Sequence, residues 1–293
     1  MTVARQRGQT PVAASVGDTP SGGSTVLAHP KILIEDVMFE YPDPRSDARL
    51  RALDGVTIRV RKNEFFCVLG PSGCGKSTLL YLIAGLQRPT QGRILVDGTP
   101  VKGPGADRGL VFQEYALLPW RTVRENVGLG LKIRGAPQAE RDAIARAFIE
   151  LIGLRGFEDK FPHELSGGMR QRVAVARTLA NSPQVALMDE PFAAVDAQTR
   201  TTLQEELTRI WSQTKVTVFF VTHNVDEAIF LGDRVLVMTP RPGRVQGIVT
   251  VNVPREERQW ATLERDPRFV GLRSQLNEMI RQSAVPADGH RDH

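Results

Sequence analysis

One nine-residue stretch limits the folds open to this chain more than any other: Gly70-Pro71-Ser72-Gly73-Cys74-Gly75-Lys76-Ser77-Thr78. An apolar run, Phe65-Phe66-Cys67-Val68-Leu69, leads into it, and Leu79-Leu80-Tyr81-Leu82-Ile83-Ala84 leads out. That order predicts a buried strand, a glycine-rich turn and a helix start. Gly70, Gly75, Lys76 and Ser77 hold the fixed places of a G-x-x-x-x-G-K-S spacing. Glycines let the backbone curl until successive N–H groups face one concavity. At a helix N-terminus such a concavity attracts an anion, through unpaired N–H groups and the helix dipole. The spacing predicts a nucleoside triphosphate cradle. Lys76 would reach the β- and γ-phosphates, and the Ser77 hydroxyl would help hold Mg²⁺. Pro71, Ser72, Gly73, Cys74 and Thr78 complete the binding loop.

Around this unit the chain alternates strand and helix patterns. Residues 1–30, rich in Gly, Ser, Thr, Pro and Ala, read as a disordered tail. Strand patterns follow at Lys31–Val37, running on to Tyr41-Pro42, and at Val56–Val60, with a turn-rich Asp43–Asp47 between them. Further strands are predicted at Gly92–Gly98, Gly109–Gln113, Gln184–Met188, Lys215–Val221 and Arg234–Met238. From Gln113 to about Asn181 the pattern is helical. Ile144, Phe148, Leu151 and Ile152 would share one helix face, and Leu203, Leu207, Ile210 and Trp211 another. Mixed strands before a strand–loop–helix unit predict an antiparallel piece beside a parallel core.

Composition excludes little. The 293 residues carry a formal charge of +5, which suits an anionic partner, but no block of consecutive Lys or Arg points to nucleic acid. No apolar stretch approaches the length of a membrane span, and residues 1–30 lack the apolar core of a secretory signal. Cys67 and Cys74 are the two cysteines, and a bridge between them would distort the turn, so free thiols in a reducing compartment are expected. A thiol inside the loop further predicts that a bulky thiol reagent blocks turnover unless ATP protects it.

Polar residues recur where apolar strands end, the rim on which parallel sheets bind ligands. Asp189-Glu190 closes the Val185–Met188 run, predicted beside the phosphate-loop strand; Asp189 would support Mg²⁺ and Glu190 would polarise the attacking water. His223 ends the next apolar strand, within reach of the γ-phosphate, and Gln113 ends another, where its amide could meet metal and water. Leu165-Ser166-Gly167-Gly168-Met169-Arg170-Gln171-Arg172 is a second glycine-rich helix start. One nucleotide does not need two such starts in one chain. The economical reading is that this one serves the nucleotide of a partner subunit.

Taken together, these motifs closely resemble the ATP-binding cassette of ABC transporters. Gly70–Thr78 is similar to the Walker A motif, Gln113 to the Q-loop, Leu165–Gln171 to the signature and Val185–Glu190 to the Walker B motif with its catalytic glutamate. Ala193-Ala194-Val195-Asp196 resembles the D-loop through Asp196, His223 resembles the switch histidine, and Tyr41 falls where the family stacks an aromatic on adenine. The resemblance implies an α/β P-loop fold with a RecA-like core, an antiparallel β subdomain and a helical subdomain at about 114–180. The cassette would span 31–263, with a C-terminal helix and tail at 264–293. It implies a head-to-tail dimer of two copies around two ATP molecules. Each pocket would join one phosphate loop to the other copy's Ser166–Gly168, with Asp196 nearby.

What the ATPase drives is implied in the same way. Separate integral-membrane permease subunits would carry the path, with a substrate-binding protein behind them. The cassette would sit peripherally on the cytoplasmic face of the cell membrane. Leu117-Leu118-Pro119-Trp120 is either subdomain core or a docking surface for a permease helix. Ala116–Val127 and Met238–Arg244 look like the nitrate/sulfonate/taurine importer branch, so uptake of a small anion is the expectation. The alternatives are another substrate, export, or a soluble nucleic-acid-acting cassette. A long heptad insertion or a second phosphate loop would mark the nucleic-acid and ribosome-acting relatives, and this sequence has neither.

Overall fold

In the computed structural model, residues 29–42, 49–193 and 195–284 are described. Residues 1–28 of the expected N-terminal tail, 285–293 of the C-terminal one, the whole Asp43–Asp47 turn with residue 48, and Ala194 lie outside them. The chain opens with β1 (Ile32–Pro42) and β2 (Arg49–Val60), then β3 (Phe65–Leu69), α1 (Lys76–Ala84), β4 (Gln91–Val96), β5 (Thr99–Pro100) and β6 (Arg108–Val111). A helical stretch follows: α2 (Val123–Val127), α3 (Leu129–Ile133), α4 (Gln138–Leu151) and α5 (Gly167–Leu179). The remainder alternates β7 (Val185–Asp189), α6 (Ala197–Thr214), β8 (Thr217–Val221), α7 (Val225–Leu231), β9 (Arg234–Met238) and β10 (Val245–Thr250). It ends in α8 (Trp260–Leu263) and α9 (Pro267–Ala284).

The strands form two sheets. One is antiparallel, ordered β2-β1-β4-β5; the other runs β10-β9-β3-β8-β7-β6, parallel except for β10. Every residue of β3, β7 and β8 is buried, which is why these strands read as continuous apolar runs. Alternate residues serve opposite faces. Phe65, Cys67 and Leu69 join the core under α4–α7 and α9, while Phe66 and Val68 join the core shared with α1 and the antiparallel sheet. Burying side chains of this size contributes roughly 2 kcal/mol each, so the sheet is a rigid base for whatever its rim carries.

The expected antiparallel piece beside a parallel core is present. Two readings need correction. β7 does not lie beside β3: β8 is inserted between them. Strand order is set by pairing across crossover helices, which leaves no trace in local hydrophobicity. β6 stops at Val111, so Gln113 stands beyond the strand and is exposed. The apolar face expected on α4 is present: Ile144, Phe148 and Leu151 pack half-buried against the core and Ile152 is buried just past the helix end, with Ala145 and Ile149 deeper still.

Candidate active site

The carboxyl ends of β3, β7 and β8 converge on one rim, at the point where chain order jumps from β3 to β8. A cleft of 480 Å³ opens there, lined by Tyr41, Leu50, Ala52, Ser72, Gly73, Gly75, Lys76, Ser77, Thr78, Gln113, Glu190 and Arg241. Gly75 caps α1 in the left-handed region, at φ 99°, and supplies no side chain to the first turn. The Lys76, Ser77 and Thr78 N–H groups therefore start the helix without a side-chain cap, as an anion cradle requires. A Cβ on Gly75 would stand 2.7 Å from Cδ2 of Leu53 and 3.0 Å from the Ala52 carbonyl, so glycine is needed for space as well as for φ.

Lys76 is almost wholly buried. Its ammonium donates to the Gly70 carbonyl at 2.8 Å and the Pro71 carbonyl at 3.1 Å, and faces Oε1 of Glu190 at 3.8 Å. The Ser77 hydroxyl donates to Oδ1 of Asp189 at 2.9 Å. Burial pushes the Asp189 carboxyl above its ordinary value, and the Glu190 charge adds to the push. Tyr81, half-buried on α1, faces the same carboxylate, and burial with that neighbouring charge raises its phenol to about 12. Tyr81 has no local signal in the sequence, because its place in the apolar start of α1 resembles ordinary core packing.

Glu190 holds φ 40°, a left-handed conformation that a non-glycine residue keeps only when its surroundings fix it. Its N–H donates to the Val221 carbonyl at 3.0 Å, pinning the turn to β8. The turn aims the side chain so that Oε2 meets Nδ1 of His223 at 2.8 Å. An ionised Glu190 accepts from Nδ1–H and leaves Nε2 of the exposed imidazole free for a ligand. Thus Lys76, Ser77, Asp189, Glu190 and His223 are brought together, as the strand-end positions require.

The other predicted residues divide. The Tyr41 hydroxyl shares a hydrogen bond with the Thr78 hydroxyl at 3.0 Å, and its ring stands edge-on to Phe39 at 4.8 Å, at the mouth of the cleft. Gln113 also lines the cleft. Ser166 caps α5 by accepting from the Met169 N–H at 3.3 Å, and it is exposed. Among the described residues, none of 166–168 lines the cleft. Asp196 caps α6, accepting from the Thr199 N–H at 3.0 Å, and these bonds hold its carboxyl below the ordinary value.

Cys74 overturns one expectation. It is 1% exposed, its sulfur lies under Gly70, and burial raises its thiol, so the loop offers a reagent only the Cys74 backbone. Both cysteines are free, as expected. Met238–Arg244, whose sequence resembles the importer branch, also bears on the loop, and Arg241 lines the cleft. Gly243 in fact packs beneath the loop, where an added Cβ would sit 2.0 Å from the Cys74 carbonyl.

Leu117 is half-buried against the core while Trp120 is 70% exposed, so the apolar cluster after Gln113 splits between packing and display. Asn126, fully buried, clamps that turn through the Leu118, Arg121 and Thr122 carbonyls. Among the described residues, no helix is long and apolar enough to cross a membrane.

Known proteins resemble this chain over most of its length. Residues 53–193 match the family model described as ABC transporter. An uncharacterized ABC transporter ATP-binding protein of Methanocaldococcus jannaschii is 61% identical over 246 residues, 83% of this chain and 91% of that protein. A nitrate import ATP-binding protein of Synechocystis is 47% identical over 234 residues, 78% of this chain and 88% of the relative. A dimeric ATP-binding cassette solved in a post-hydrolysis state with ADP and Pi is 32% identical, superposes with a TM-score of 0.66 and covers 76% of this chain and all of its own. The chain therefore belongs to the ABC transporter family, as an ATP-binding subunit and an ATPase with the P-loop cassette fold.

Proposed function

We propose that this chain is the ATP-hydrolysing subunit of an importer for a small anion of the nitrate, sulfonate or taurine type, working as a head-to-tail dimer on separate permease subunits. One contrast carries the reading. Glu190, His223, Lys76, Ser77 and Asp189 meet on one rim, while Ser166 stands exposed at the start of α5 and, among the described residues, none of 166–168 lines that cleft. A second copy turned head to tail would present its Ser166–Gly168 to this rim and its Asp196 beside it. The dimeric ADP–Pi cassette supports that assembly. The nitrate-importer relative supports the direction and substrate class.

In this reading the loop N–H groups from Gly70 to Thr78 and the Lys76 ammonium hold the β- and γ-phosphates, and Tyr41 stacks on the base. Glu190 accepts a hydrogen bond from the attacking water and orients it in line. His223, fixed through Nδ1, offers Nε2 to the γ-phosphate. Ser77 and Asp189 form an all-oxygen pair 2.9 Å apart, and the Gln113 amide, lining the same cleft, would add a third oxygen. That set suits Mg²⁺, which takes few protein oxygens beside phosphates. Bound there, Mg²⁺ would neutralise developing charge on the phosphate oxygens.

The exposed Trp120 beside Leu117 offers the permease a docking surface, with a substrate-binding protein acting through the permease. The cassette proper is assigned to 31–263, and the location to the cytoplasmic face of the membrane, peripherally. The test is uptake of labelled nitrate and taurine by cells lacking this gene. Loss of uptake, restored by the wild-type gene and not by Glu190→Gln, is the expected result. Undiminished uptake, or accumulation of the anion inside the deletion strain, overturns the importer reading.

A further inference from the structure

Glu227 is a buried acid that the reaction as described does not use. It sits on the first turn of α7 and is 4% exposed. A glutamate there ordinarily faces solvent and the helix dipole. Capping is already done by Asn224, whose Oδ1 accepts from the Glu227 N–H at 3.1 Å. The Glu227 side chain turns inward instead. Oε1 accepts from Nε2 of Gln204 at 2.8 Å, and Oε2 accepts from the Thr222 hydroxyl. Both donors are buried too.

The partners connect two parts of the site. Thr222 immediately precedes His223, and its hydroxyl also accepts from the Asn224 N–H at 3.0 Å, so the histidine is flanked by two fixed residues. Gln204 belongs to α6, the helix that Asp196 caps. Arg200, on the same helix, donates to the Val195 carbonyl at 2.9 Å and lends a favourable charge to Glu227. The carboxylate therefore lies between the turn leading into α6 and the residue holding His223. Burying an acid costs far more than burying a leucine unless both oxygens are satisfied, and here both are. An apolar residue would fill the space at lower cost but would not join Thr222 to Gln204.

We propose that Glu227 is a positioning residue for ATP hydrolysis: through Thr222 it holds His223 against Glu190, and through Gln204 and Arg200 it ties that histidine to the Val195–Asp196 turn. A displacement of the turn then reaches His223 without passing through the nucleotide. The proposal rests on the assignment of His223 to the γ-phosphate, and the test separates the two.

Steady-state MgATP turnover is measured for Glu227→Gln, His223→Ala and the double variant. Glu227→Gln should lower kcat about tenfold with KM for ATP within twofold, and should cost less than a further twofold in the His223→Ala background. An equal factor in both backgrounds, a raised KM with intact kcat, or an unchanged kcat overturns the proposal. A normal kcat for His223→Ala overturns the histidine assignment and this inference with it. Should Glu227→Gln fail to fold, Thr222→Val and Thr222→Ser carry the same cycle. Valine should reproduce the loss, and serine, which keeps the hydroxyl, should restore turnover. Equal activity of the two overturns the link.

Discussion

Helix α1 begins at Gly75, which offers its own first turn no side chain; α5 begins at Ser166, whose hydroxyl accepts from the Met169 N–H. Around α1 the chain supplies its own charges, with Lys76 buried among the loop carbonyls and Asp189 bonded to Ser77. Around α5 the first turn carries no acid, Ser166 is exposed, and Gly168 is needed because α6 comes close: a Cβ there would meet Thr199 at 2.8 Å. One start is shaped by a left-handed glycine and opens on a cleft lined by the chain's own charges. The other is a side-chain-capped helix end that leaves Ser166 exposed. Two glycine-rich helix starts thus have different physical reasons for their glycines.

The largest effect that would sharpen this contrast lies at the acid completing the α1 side. Glu190→Gln should slow ATP turnover on the order of 10³-fold, leave ATP affinity nearly unchanged, and shift the protein to a dimer in ATP-containing gel filtration. Near-normal turnover would remove Glu190 from the reaction. Next comes a mixing experiment. Lys76→Ala and Ser166→Arg should each be inactive alone, and an equimolar mixture should regain roughly a quarter of wild-type activity, from random pairing in a two-fold dimer. No recovery would mean that α1 and α5 of different copies do not share a pocket.

A smaller effect tests the glycines. Gly75→Ala should lower stability by about 2 kcal/mol or more, because left-handed strain adds to the clash with Leu53. Gly73→Ala, also at positive φ but with open space around its Cβ, should cost about 1 kcal/mol. Equal melting temperatures for the two would show that packing under the loop is unimportant.

Last is a pH effect away from either helix start. Burial raises the Glu227 carboxyl above its ordinary 4.5, so the folded chain holds that proton more tightly than the unfolded chain does. Wild type then loses stability as pH rises from about 4.5 toward the folded pKa. Glu227→Gln lacks this loss, and its melting temperature relative to wild type should climb by a few degrees across that window. A flat difference would mean that the acid is not raised.

What could be read without coordinates follows the same division. The phosphate loop was legible because its glycines, lysine and serine act through local backbone geometry at fixed spacing. Asp189, Glu190 and His223 were legible because strands buried on both faces end abruptly at polar residues. The place of β8 between β3 and β7 was not, since pairing partners leave no local mark. Nor was the inward turn of Glu227, which depends on Gln204 and Thr222 reaching it from other elements. Cys74 failed as a reactive thiol because position in a loop says nothing about which way a side chain points. Arg258 likewise carries no local mark of its burial, with its guanidinium on the Ile229, Phe230 and Gly232 carbonyls at the end of α7.

Gly243 bears on how the molecule is made. Its N–H donates to the Ala52 carbonyl, its own carbonyl accepts from the Asp54 N–H, and its bare Cα underlies Cys74. The neighbouring Arg244–Asp54 pair spans 190 residues. A ribosome therefore releases the ATP-gripping loop long before it releases the floor on which that loop rests. Until synthesis reaches the 240s the nascent chain has the motif without its support, and truncated fragments that retain every phosphate-contacting residue should still bind nucleotide poorly.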